Sequence, residues 1–578
     1  MKIRFLFILS LMLTCSTAAW SQSFSIGGHR AVQDTLNNMW LCSIPQIHFG
    51  NDLTATVNFD TEWSNVAIDG NVIDNGEEYT FEGISGGKDY VLTAYMGDSL
   101  ITGNITFTWL PIVELNGTFS NKYRYGTVVV NEPDSASTGQ LSAKVKWRGG
   151  ATNLAGKNKR NYHIKFINAE DSTKEDHRFF GLRNDNSWIL DAGQMDFLRV
   201  RNRVSADLWL DMARRPWYAD SLPNARNGSR GTMVEVILNG EYRGIYNMCE
   251  PIDRKQLKLK RYEIDENNKV IFHGQIWKTY AWTRTVTMSD PEPRATGATI
   301  WDGIELKYPD RDEINRVKWT AMEDAIWFAN RSNYNLEACE DSMQYYFDIP
   351  VMQDYYLFIV AIQALDNESK NIYYACYDTE DNNRLTMVPW DLDIFLGQNY
   401  APNRNEPEQV KPTRHPNEWI NHLPMYNMME VPSYRDEVIN RYWELRKTVF
   451  NTDSLVNRYR SAVDELENCG AATREEDRWS RDTDLARKKL DLSAEMDKVE
   501  DWIRQRMEYL DNYVFNRDEP HYIKGDVDGN GEVNIADVNA LIDVILSGNT
   551  DAYPNPDVDA NGEVNINDIN EVLAIILG

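Results

Sequence analysis

The sequence predicts a multi-domain protein with an N-terminal β-sandwich, a central α+β domain whose C-terminal part is helical, and a small all-α module at the C-terminus. Three observations support this prediction. Residues 22–109 alternate short apolar runs with turn dipeptides, residues 110–516 mix strand and helix patterns, and residues 524–578 contain one segment twice. At 578 residues, the chain also exceeds what a single hydrophobic core usually supports.

The first 21 residues are predicted to be a cleaved secretory signal peptide. Lys2 and Arg4 precede an apolar run from Phe5 to Leu13, and mostly small residues follow it up to Ser21. We therefore expect a secreted or cell-surface protein, either periplasmic or extracellular. No later segment reaches the roughly 18 consecutive apolar residues that a membrane span requires, so no transmembrane segment is expected.

Charge and cysteine content exclude several classes of function. With 88 acidic and 60 basic residues, the chain has a formal net charge of −28, which argues against nucleic acid as a partner. Residues 524–578 hold eleven acids against a single lysine. The five cysteines beyond the signal peptide are scattered and lack the C-x-x-C spacing of metal sites. They leave room for one or two disulfides, but they do not form a disulfide framework.

Residues 22–109 are predicted to form an immunoglobulin-like β-sandwich. Alternating runs such as residues 90–95 and 101–107 are separated by turn dipeptides such as Asp69-Gly70. Short strands joined by tight turns are typical of this fold.

Residues 110–516 are predicted to form the α+β domain. The predicted elements of its first part are strands near residues 143–147, 162–166 and 233–238, a hairpin at Asn239-Gly240, and helices near residues 197–212 and 354–365. Residues 434–514 are rich in Glu, Lys, Arg and Leu and contain glycine only at Gly470, which indicates packed helices. A short linker is expected at residues 517–523.

The C-terminal module, residues 524–578, carries two loops that match a calcium site. The segment from Asp526 to Asp537 recurs 31 residues later, from Asp557 to Asp568. A twelve-residue calcium loop supplies oxygens from positions 1, 3, 5, 7, 9 and 12 and turns sharply at a glycine in position 6. The predicted ligands are Asp526, Asp528, Asn530, the Glu532 carbonyl, Asn534 and Asp537 in the first loop, and Asp557, Asp559, Asn561, the Glu563 carbonyl, Asn565 and Asp568 in the second. We reject acidic turns without calcium, because both loops satisfy every ligand position.

One helix is expected after each loop, and the two helices are expected to pack together through matching apolar residues. The predicted stripes are Val538, Leu541, Ile542 and Ile545 in the first helix and Ile569, Val572, Leu573 and Ile576 in the second. This duplicated loop-helix layout resembles type I dockerins. The resemblance implies a cohesin-domain protein as partner. Loop positions 10 and 11, which often carry a Ser/Thr pair in that family, are here Ile535-Ala536 and Ile566-Asn567.

The central domain contains a spacing that protein kinases use. Asp366 is followed five residues later by Asn371, and Asp391 and Asp393 come after an apolar strand. In kinases the first Asp orients or accepts the proton of the substrate hydroxyl, while the Asn and the later Asp hold Mg²⁺. The spacing also arises by chance in polar loops, so it does not identify a kinase by itself.

A wider set of segments resembles the CotH kinase family, named for a spore-coat protein. They lie in the family's order over roughly residues 110–400: 146–152 with 161–166, 188–191 with 201–208, 234–246 with 250–254, and 366–371 with 390–393. The resemblance implies a divergent kinase-like fold that transfers the γ-phosphoryl of ATP to Ser or Thr of a protein substrate. It implies Asp366 as the catalytic aspartate, Asn371 and Asp391 as magnesium ligands, and Asp393 as a support or second ligand.

A kinase also needs a cation on the ATP phosphates, usually braced by a glutamate. Lys165 is the first candidate and Lys278 the second, with Glu250 as the brace. For each of these residues, a strand-edge charge facing water is an equally good interpretation. Arg148 is expected either to contact phosphate through its guanidinium or to pair with an acid.

Three hypotheses follow from these patterns. The leading one is a secreted CotH-like atypical kinase that a calcium-binding dockerin tethers to a cohesin-bearing partner. The alternative is a non-catalytic, scaffold-tethered adhesion or carbohydrate-binding protein, since ATP is scarce outside the cytoplasm. A glycoside hydrolase is the third hypothesis, and it would require a pair of catalytic carboxylates at a defined separation.

Overall fold

The computed structural model describes residues 24–577 except residues 155, 311–313, 334, 399–409, 481–488, 517–523, 531 and 560–562. The predicted signal peptide and the predicted linker lie outside the described residues. The elements follow the predicted order: strands in the N-terminal region, strands mixed with helices in the middle of the chain, and helices in the C-terminal module.

The N-terminal region is rich in β-strands, as predicted. Within residues 24–109, the strands are β1 (Ser25–Ile26), β2 (His29–Asp34), β3 (Met39–Ser43), β4 (Leu53–Asn58), β5 (Trp63–Ile68), β6 (Asn71–Val72), β7 (Glu78–Phe81), β8 (Asp89–Met96) and β9 (Ser99–Thr108). They are hydrogen-bonded in the order β6-β5-β8-β9-β3-β2-β1-β4-β7. Alternate residues of β8 are buried, which gives the region its own core around Trp40, Trp63 and Phe107.

The next strands form a closed barrel. They are β10 (Ile112–Asn116), β11 (Arg124–Asn131), β12 (Leu141–Arg148), β13 (Asn161–Phe166), β14 (Ser187–Asp191), β15 (Gly231–Leu238) and β16 (Glu241–Cys249). The predicted hairpin at Asn239-Gly240 joins β15 to β16, with both residues at positive φ as a tight turn requires. Parallel pairing of β10 with β15 closes the barrel. Its interior is filled by the apolar residues that alternate along each strand, such as Val145 and Ile164.

A second sheet lies further along the chain. The remaining strands are β17 (Glu263–Ile264), β18 (Val270–Ile271), β19 (Gln275–Thr279), β20 (Ile300–Trp301), β21 (Ile304–Tyr308), β22 (Ile372–Asp378) and β23 (Asn382–Pro389). The second sheet has the order β20-β21-β19-β22-β23. Its central strand β19 therefore lies beside β22, although about a hundred residues separate them in the sequence.

Helices pack around this sheet and close the domain. They are α1 (Arg201–Met212), α2 (Arg254–Leu257), α3 (Arg284–Thr287), α4 (Thr320–Arg331), α5 (Leu336–Ser342), α6 (Ile349–Ile362), α7 (Leu423–Glu430), α8 (Pro432–Arg446), α9 (Thr452–Asn468), α10 (Ala471–Trp479) and α11 (Leu492–Tyr509). Helix α6 is buried from Val351 to Ile362. The helical C-terminal part of the domain is thus confirmed.

The C-terminal module contains α12 (Ile535–Ser547) and α13 (Ile566–Leu577), each of which begins at position 10 of one of the two predicted loops. The predicted apolar stripes are partly wrong. Val538, Leu541 and Val572 are buried between the helices, whereas Ile542 and Ile545 remain 40% and 38% exposed. Val544 is buried instead, so the buried face of this helix contains Val538, Leu541 and Val544.

The N-terminal region packs directly against the barrel. Val32 and Leu41 share an apolar cluster with Ile237 of β15. Nearby, the Tyr242 main-chain N–H donates to Asp34 Oδ1 at 3.0 Å, and Arg30 Nε donates to Glu114 Oε1 at 2.9 Å.

A buried charge network ties helix α10 to the barrel. Glu475 Oε1 accepts hydrogen bonds from Lys159 Nζ at 2.7 Å and Arg199 Nε at 2.6 Å, and its Oε2 accepts from the Ile245 main chain at 2.8 Å. A Cβ at Gly244 would lie 1.9 Å from Glu475 Oε2, so only glycine fits there. Burial lowers the pKa of Lys159 to about 7, and Glu475 opposes that shift.

Two further sequence expectations concern export. Among the described residues, no helix combines the length and apolar character needed to cross a bilayer. The five described cysteines are all buried free thiols. The one or two disulfides that the sequence allowed are therefore not formed among them.

We expect Glu475→Gln to destabilise the protein by about 3–5 kcal/mol, because it leaves two buried cations without their carboxylate. Urea unfolding of the full chain measures the change. The matched control is Asp290→Asn, which breaks the exposed Arg284–Asp290 ion pair and should cost less than about 1 kcal/mol. Equal losses in the two variants would contradict the importance assigned to Glu475.

Candidate phosphoryl-transfer site

The β22–β23 hairpin brings the kinase-like spacing together in space. Ile372 at the start of β22 pairs with Pro389 at the end of β23, so the residues just outside the two strands are neighbours. The Trp390 main-chain N–H donates to the Asn371 carbonyl at 3.0 Å, and Asn367 Nδ2 donates to the Trp390 carbonyl at 2.7 Å. Asn371 and Asp391 therefore lie at one end of the sheet.

Asp366 lies in a short 3₁₀ turn that precedes this end of the sheet. Its Oδ2 accepts hydrogen bonds from Lys370 Nζ at 2.7 Å and from Asn371 Nδ2 at 3.0 Å. The side chain is 22% exposed, so it is oriented by the protein and still reachable from solvent. The Lys370 ammonium adds a cation beside Asp366 that the sequence pattern did not reveal.

Asn371 and Asp391 both have a left-handed backbone, with φ of 59° and 64°. Asn and Asp adopt this conformation more readily than most residues, yet it remains strained outside glycine. The strain occurs at both predicted metal ligands, which lie just outside β22 and β23. Such strain is often found at functional sites.

Lys278 lies on the strand next to the end of the sheet that carries Asn371 and Asp391, since the Asn371 main-chain N–H donates to the carbonyl of the following residue, Thr279, at 3.1 Å. It sits on β19 opposite Tyr373 of β22, with its Nζ 5.5 Å from the centre of the Tyr373 ring. Burial lowers the pKa of Lys278 to about 8, and among the neighbouring charges the Asp391 carboxylate opposes this shift most strongly. Glu305 is its cross-strand partner on β21. Neither Glu305 nor this register could be inferred from local sequence.

Lys165 occupies a different place. It lies on β13, four residues from Asn161, which pairs with Arg148 at the barrel end nearest Asp391. At about 3.3 Å per residue, Lys165 therefore lies about 13 Å along the strand from Asn161, and so away from the barrel end that is nearest Asp391. Lys165 Nζ lies 5.1 Å from the centre of the Tyr123 ring on the outer surface of the barrel.

Glu250, the predicted brace, pairs with an arginine. Its Oε1 accepts hydrogen bonds from Arg230 Nη2 at 2.8 Å and from the Arg183 main chain at 3.1 Å. The Glu250 side chain is 2% exposed, so this pairing anchors the end of β16. The structure thus places Glu250 in an arginine pair, while Glu305 is the acid across from Lys278.

The barrel contributes Arg148 and Asp191 to the same region. The Arg148 guanidinium lies 5.1 Å from the centre of the Trp390 ring, directly before Asp391. Burial and then the Asp391 carboxylate raise the pKa of Asp191, whereas Arg148 opposes the shift. Asp191 was part of the family resemblance, but it was not among the predicted site residues.

Asn202 of α1 joins the barrel end to the sheet end. Its Nδ2 donates to Asp191 Oδ2 at 2.5 Å, and its Oδ1 accepts from the Leu392 main chain at 3.1 Å. One amide therefore holds the end of β14 and the segment after β23 at a fixed separation.

The residue types at this end fit a magnesium ion. Burial and then the carboxylates of Asp391, Asp191, Asp196 and Asp366 raise the pKa of Asp393 well above its usual range. Carboxylate and amide oxygens are the ligands that Mg²⁺ prefers, and it usually takes one or two carboxylates together with substrate phosphates. In the described part of the chain, three carboxylates converge within 4.8 Å only in the two C-terminal loops. At this site, Asp391, Asn371 and Asp393 would therefore share the ion with substrate oxygens.

The two C-terminal loops repeat one hydrogen-bond pattern. Asp537 Oδ1 accepts from the Val527 and Asp528 main chains and its Oδ2 from Asn534, while Asp568 accepts in the same way from Val558, Asp559 and Asn565. The position-12 carboxylate thus folds back over each loop. The carboxylates that come within 4.8 Å of one another are Asp526, Asp528 and Asp537 in the first loop and Asp557, Asp559 and Asp568 in the second.

Asn530, another predicted ligand of the first loop, is hydrogen-bonded within the loop. Asn530 Nδ2 donates to Asp528 Oδ2 at 2.9 Å, and the Glu532 main chain donates to Asn530 Oδ1 at 2.9 Å. In the second loop, Asn561 lies outside the described residues, while Glu563 and Asn565 lie within them.

The central domain combines a carboxylate held by a lysine, an amide and carboxylates suited to magnesium, and cations close to them, which is the set of groups that kinase-like proteins use. The model for the family described as CotH kinase protein matches residues 145–510, more than half of the chain. The chain belongs to the CotH kinase family, and its central domain is kinase-like. No curated protein matches the sequence.

We expect Asn202→Ala to lower the free energy of unfolding by about 1.5–3 kcal/mol, because Asp191 loses a hydrogen bond to its carboxylate. Asn202→Asp should cost more than Asn202→Ala, although it preserves the side-chain shape, since it adds a carboxylate beside Asp191. Urea unfolding measures both variants. The control is the same pair of changes at exposed Asn512, where the two should differ by less than about 0.5 kcal/mol. An Asn202→Asp variant as stable as wild type would contradict the bridging role.

Proposed function

We propose that this protein is a secreted atypical protein kinase of the CotH type, which transfers the γ-phosphoryl of ATP to Ser or Thr of a protein. The observation that carries the proposal is the proximity of Lys278 to Asp391 at the end of the sheet that also holds Asn371. A member of the family that kept the fold but had lost phosphoryl transfer would not need a half-buried lysine beside strained residues whose side chains can bind magnesium.

Each residue has a distinct role in this proposal. Asp366 orients the acceptor hydroxyl and takes its proton, and Lys370 holds the Asp366 carboxylate in place. Asn371, Asp391 and Asp393 hold the magnesium ion, which when bound neutralises charge on the β- and γ-phosphates. Lys278 and Arg148 bind phosphate oxygens from the sheet side and the barrel side. Lys278 takes the ATP-binding role for which Lys165 was the first candidate.

We expect wild-type protein to bind ATP only with Mg²⁺ and to transfer labelled phosphate to a protein acceptor. Asp366→Ala should abolish transfer but keep nucleotide binding, whereas Asp391→Ala and Lys278→Ala should lose both, with rates lower by at least about a hundredfold. Isothermal titration calorimetry and a radiolabel transfer assay measure the two steps.

The control for this experiment is Asp98→Ala, which removes an exposed carboxylate from a turn in the N-terminal region. It should leave both steps unchanged. If wild type neither binds nucleotide nor transfers phosphate to a range of protein acceptors, the enzyme proposal fails, and a non-catalytic adhesion or carbohydrate-binding role replaces it.

We also propose that the C-terminal module is a dockerin that binds two calcium ions and tethers the exported protein to a cohesin-bearing partner. The converging carboxylates and the identical hydrogen-bond pattern in both loops support calcium binding. Ile535 and Ile566, at loop position 10, are 62% and 61% exposed, which supports a partner surface that is apolar at this position.

We expect two calcium ions to bind the full chain, and Asp537→Ala and Asp568→Ala each to remove one. Calcium at about 100 times its dissociation constant should stabilise the module by about 2.7 kcal/mol per site, about 5.4 kcal/mol for the two sites together, and chelation by EGTA should reverse this gain. Calorimetry measures the stoichiometry and thermal unfolding measures the stabilisation. Asp543→Ala, which removes an exposed acid of α12 outside the loops, should bind both ions. A stoichiometry of zero in wild type would refute the calcium sites.

A further inference from the structure

The outer surface of β12 and β13 carries a row of cations that leads away from the candidate site. We propose that this surface, the basic face formed by Lys144, Lys146 and Lys165, which begins beside Arg148, binds an acidic segment of the protein that receives the phosphoryl group. The inference rests on the proposed kinase function and names the chemistry of its substrate.

The strand register places like charges directly opposite each other. Lys144 of β12 pairs with Lys165 of β13, and Lys146 lies opposite His163. Like charges at directly opposed positions destabilise an antiparallel pair. An acidic residue in place of Lys144 or Lys165 would form an attractive pair and stabilise the barrel, and acidic residues are common in this chain, which has 88 of them. An anionic ligand that covers the face would offset this cost.

Aromatic rings hold the lysines in position. Lys146 Nζ and Lys165 Nζ lie 4.6 Å and 5.1 Å from the centre of the Tyr123 ring, and Lys144 Nζ lies 5.2 Å from that of Tyr125. Tyr123 Oη is hydrogen-bonded to His163 Nδ1 at 2.9 Å. The ammonium groups are therefore presented on a fixed platform, which lowers the entropy lost when an anion binds.

The electrostatic environment of the face is strongly positive. Burial, followed by the charges of Arg148, Lys165, Lys146 and Lys307, holds the pKa of His163 well below its usual range. Burial and the neighbouring cations also lower the pKa of Lys146, with Asp310 as the opposing acid. The basic face is a local positive region in a protein of net charge −28, and its potential attracts anionic ligands.

The geometry favours a polypeptide over the nucleotide as occupant. Arg148 lies at the end that faces Asp391, and Lys144 lies four residues away, about 13 Å at the usual rise per residue. An extended peptide covers the same distance with about four residues. Phosphate-binding cations must lie beside the metal ligands, as Lys278 does. We therefore expect acidic residues two to four positions from the acceptor hydroxyl.

The test uses the full chain and two fluorescent peptides with one serine each. One peptide has Asp and Glu around the serine, and the other has Asn and Gln at the same positions. Fluorescence anisotropy measures peptide binding without turnover, and calorimetry measures MgATP binding separately. The variants are Lys144→Glu and the double variant Lys144→Glu with Lys165→Glu. The control is Lys498→Glu, at a lysine of α11 whose side chain is 63% exposed.

We expect wild type to bind the acidic peptide at least about tenfold more tightly than the neutral one, with an advantage that shrinks as salt rises. Both variants should lose this preference and keep MgATP affinity within about twofold, while Lys498→Glu changes neither. Lys144→Glu also creates an attractive pair with Lys165, so its thermal midpoint should not fall although peptide binding does.

Equal binding of the two peptides by wild type would overturn the inference. So would a loss of MgATP binding in the double variant as large as the loss of peptide binding, because the face would then belong to the nucleotide site. Failure of the kinase proposal itself would appear as absent MgATP binding in wild type, and the peptide measurement is independent of that result.

Discussion

The candidate site depends on one constraint, the fixed contact between the end of the barrel and the end of the β19–β23 sheet. Arg148 and Asp191 come from the barrel, whereas Lys278, Asn371 and Asp391 come from the sheet. Neither half contains the full set of charges that phosphoryl transfer requires. The Asn202 amide spans the two ends by donating to Asp191 and accepting from the Leu392 main chain. Glu475 anchors α10 to the barrel, so the barrel is fixed against the helices as well.

The same region concentrates features that are unfavourable for folding alone. Two left-handed backbone positions, a half-buried lysine and several neighbouring carboxylates each cost stability. A metal ion and a phosphate chain would relieve the repulsion between these charges, since both bring the opposite sign to the groups they meet. By contrast, Glu475 with Lys159 and Glu250 with Arg230 form buried ion pairs in which each charge faces an opposite one. We therefore assign these pairs to the stability of the fold and the neighbouring carboxylates to the proposed metal site.

Local sequence predicted the elements better than the contacts between them. The alternation in β12 and β13, the Asn239-Gly240 hairpin and the helices around α8 to α11 all follow from patterns within a few residues. Helix α1 begins at Arg201, later than predicted, because residues 196–199 form a turn, and α6 ends at Ile362 because Gln363 adopts a left-handed conformation. The choice between Lys165 and Lys278 could not be made from sequence. Both lie on strands, and only the order β21-β19-β22 brings Lys278 to Asp391.

The proposed tethering and the proposed substrate recognition are linked through effective concentration. A module that holds the kinase-like domain on the same scaffold as its substrate makes their encounter intramolecular, with an effective concentration in the millimolar range for a short flexible connection. Exposed charge pairs contribute only about 0.2–1 kcal/mol each, so the basic face alone would bind a free peptide weakly. Weak recognition is sufficient when the substrate is already close, and it allows rapid release of the product. In the proposed arrangement, a tethered enzyme would therefore need a charged face of this kind more than it would need a deep binding pocket.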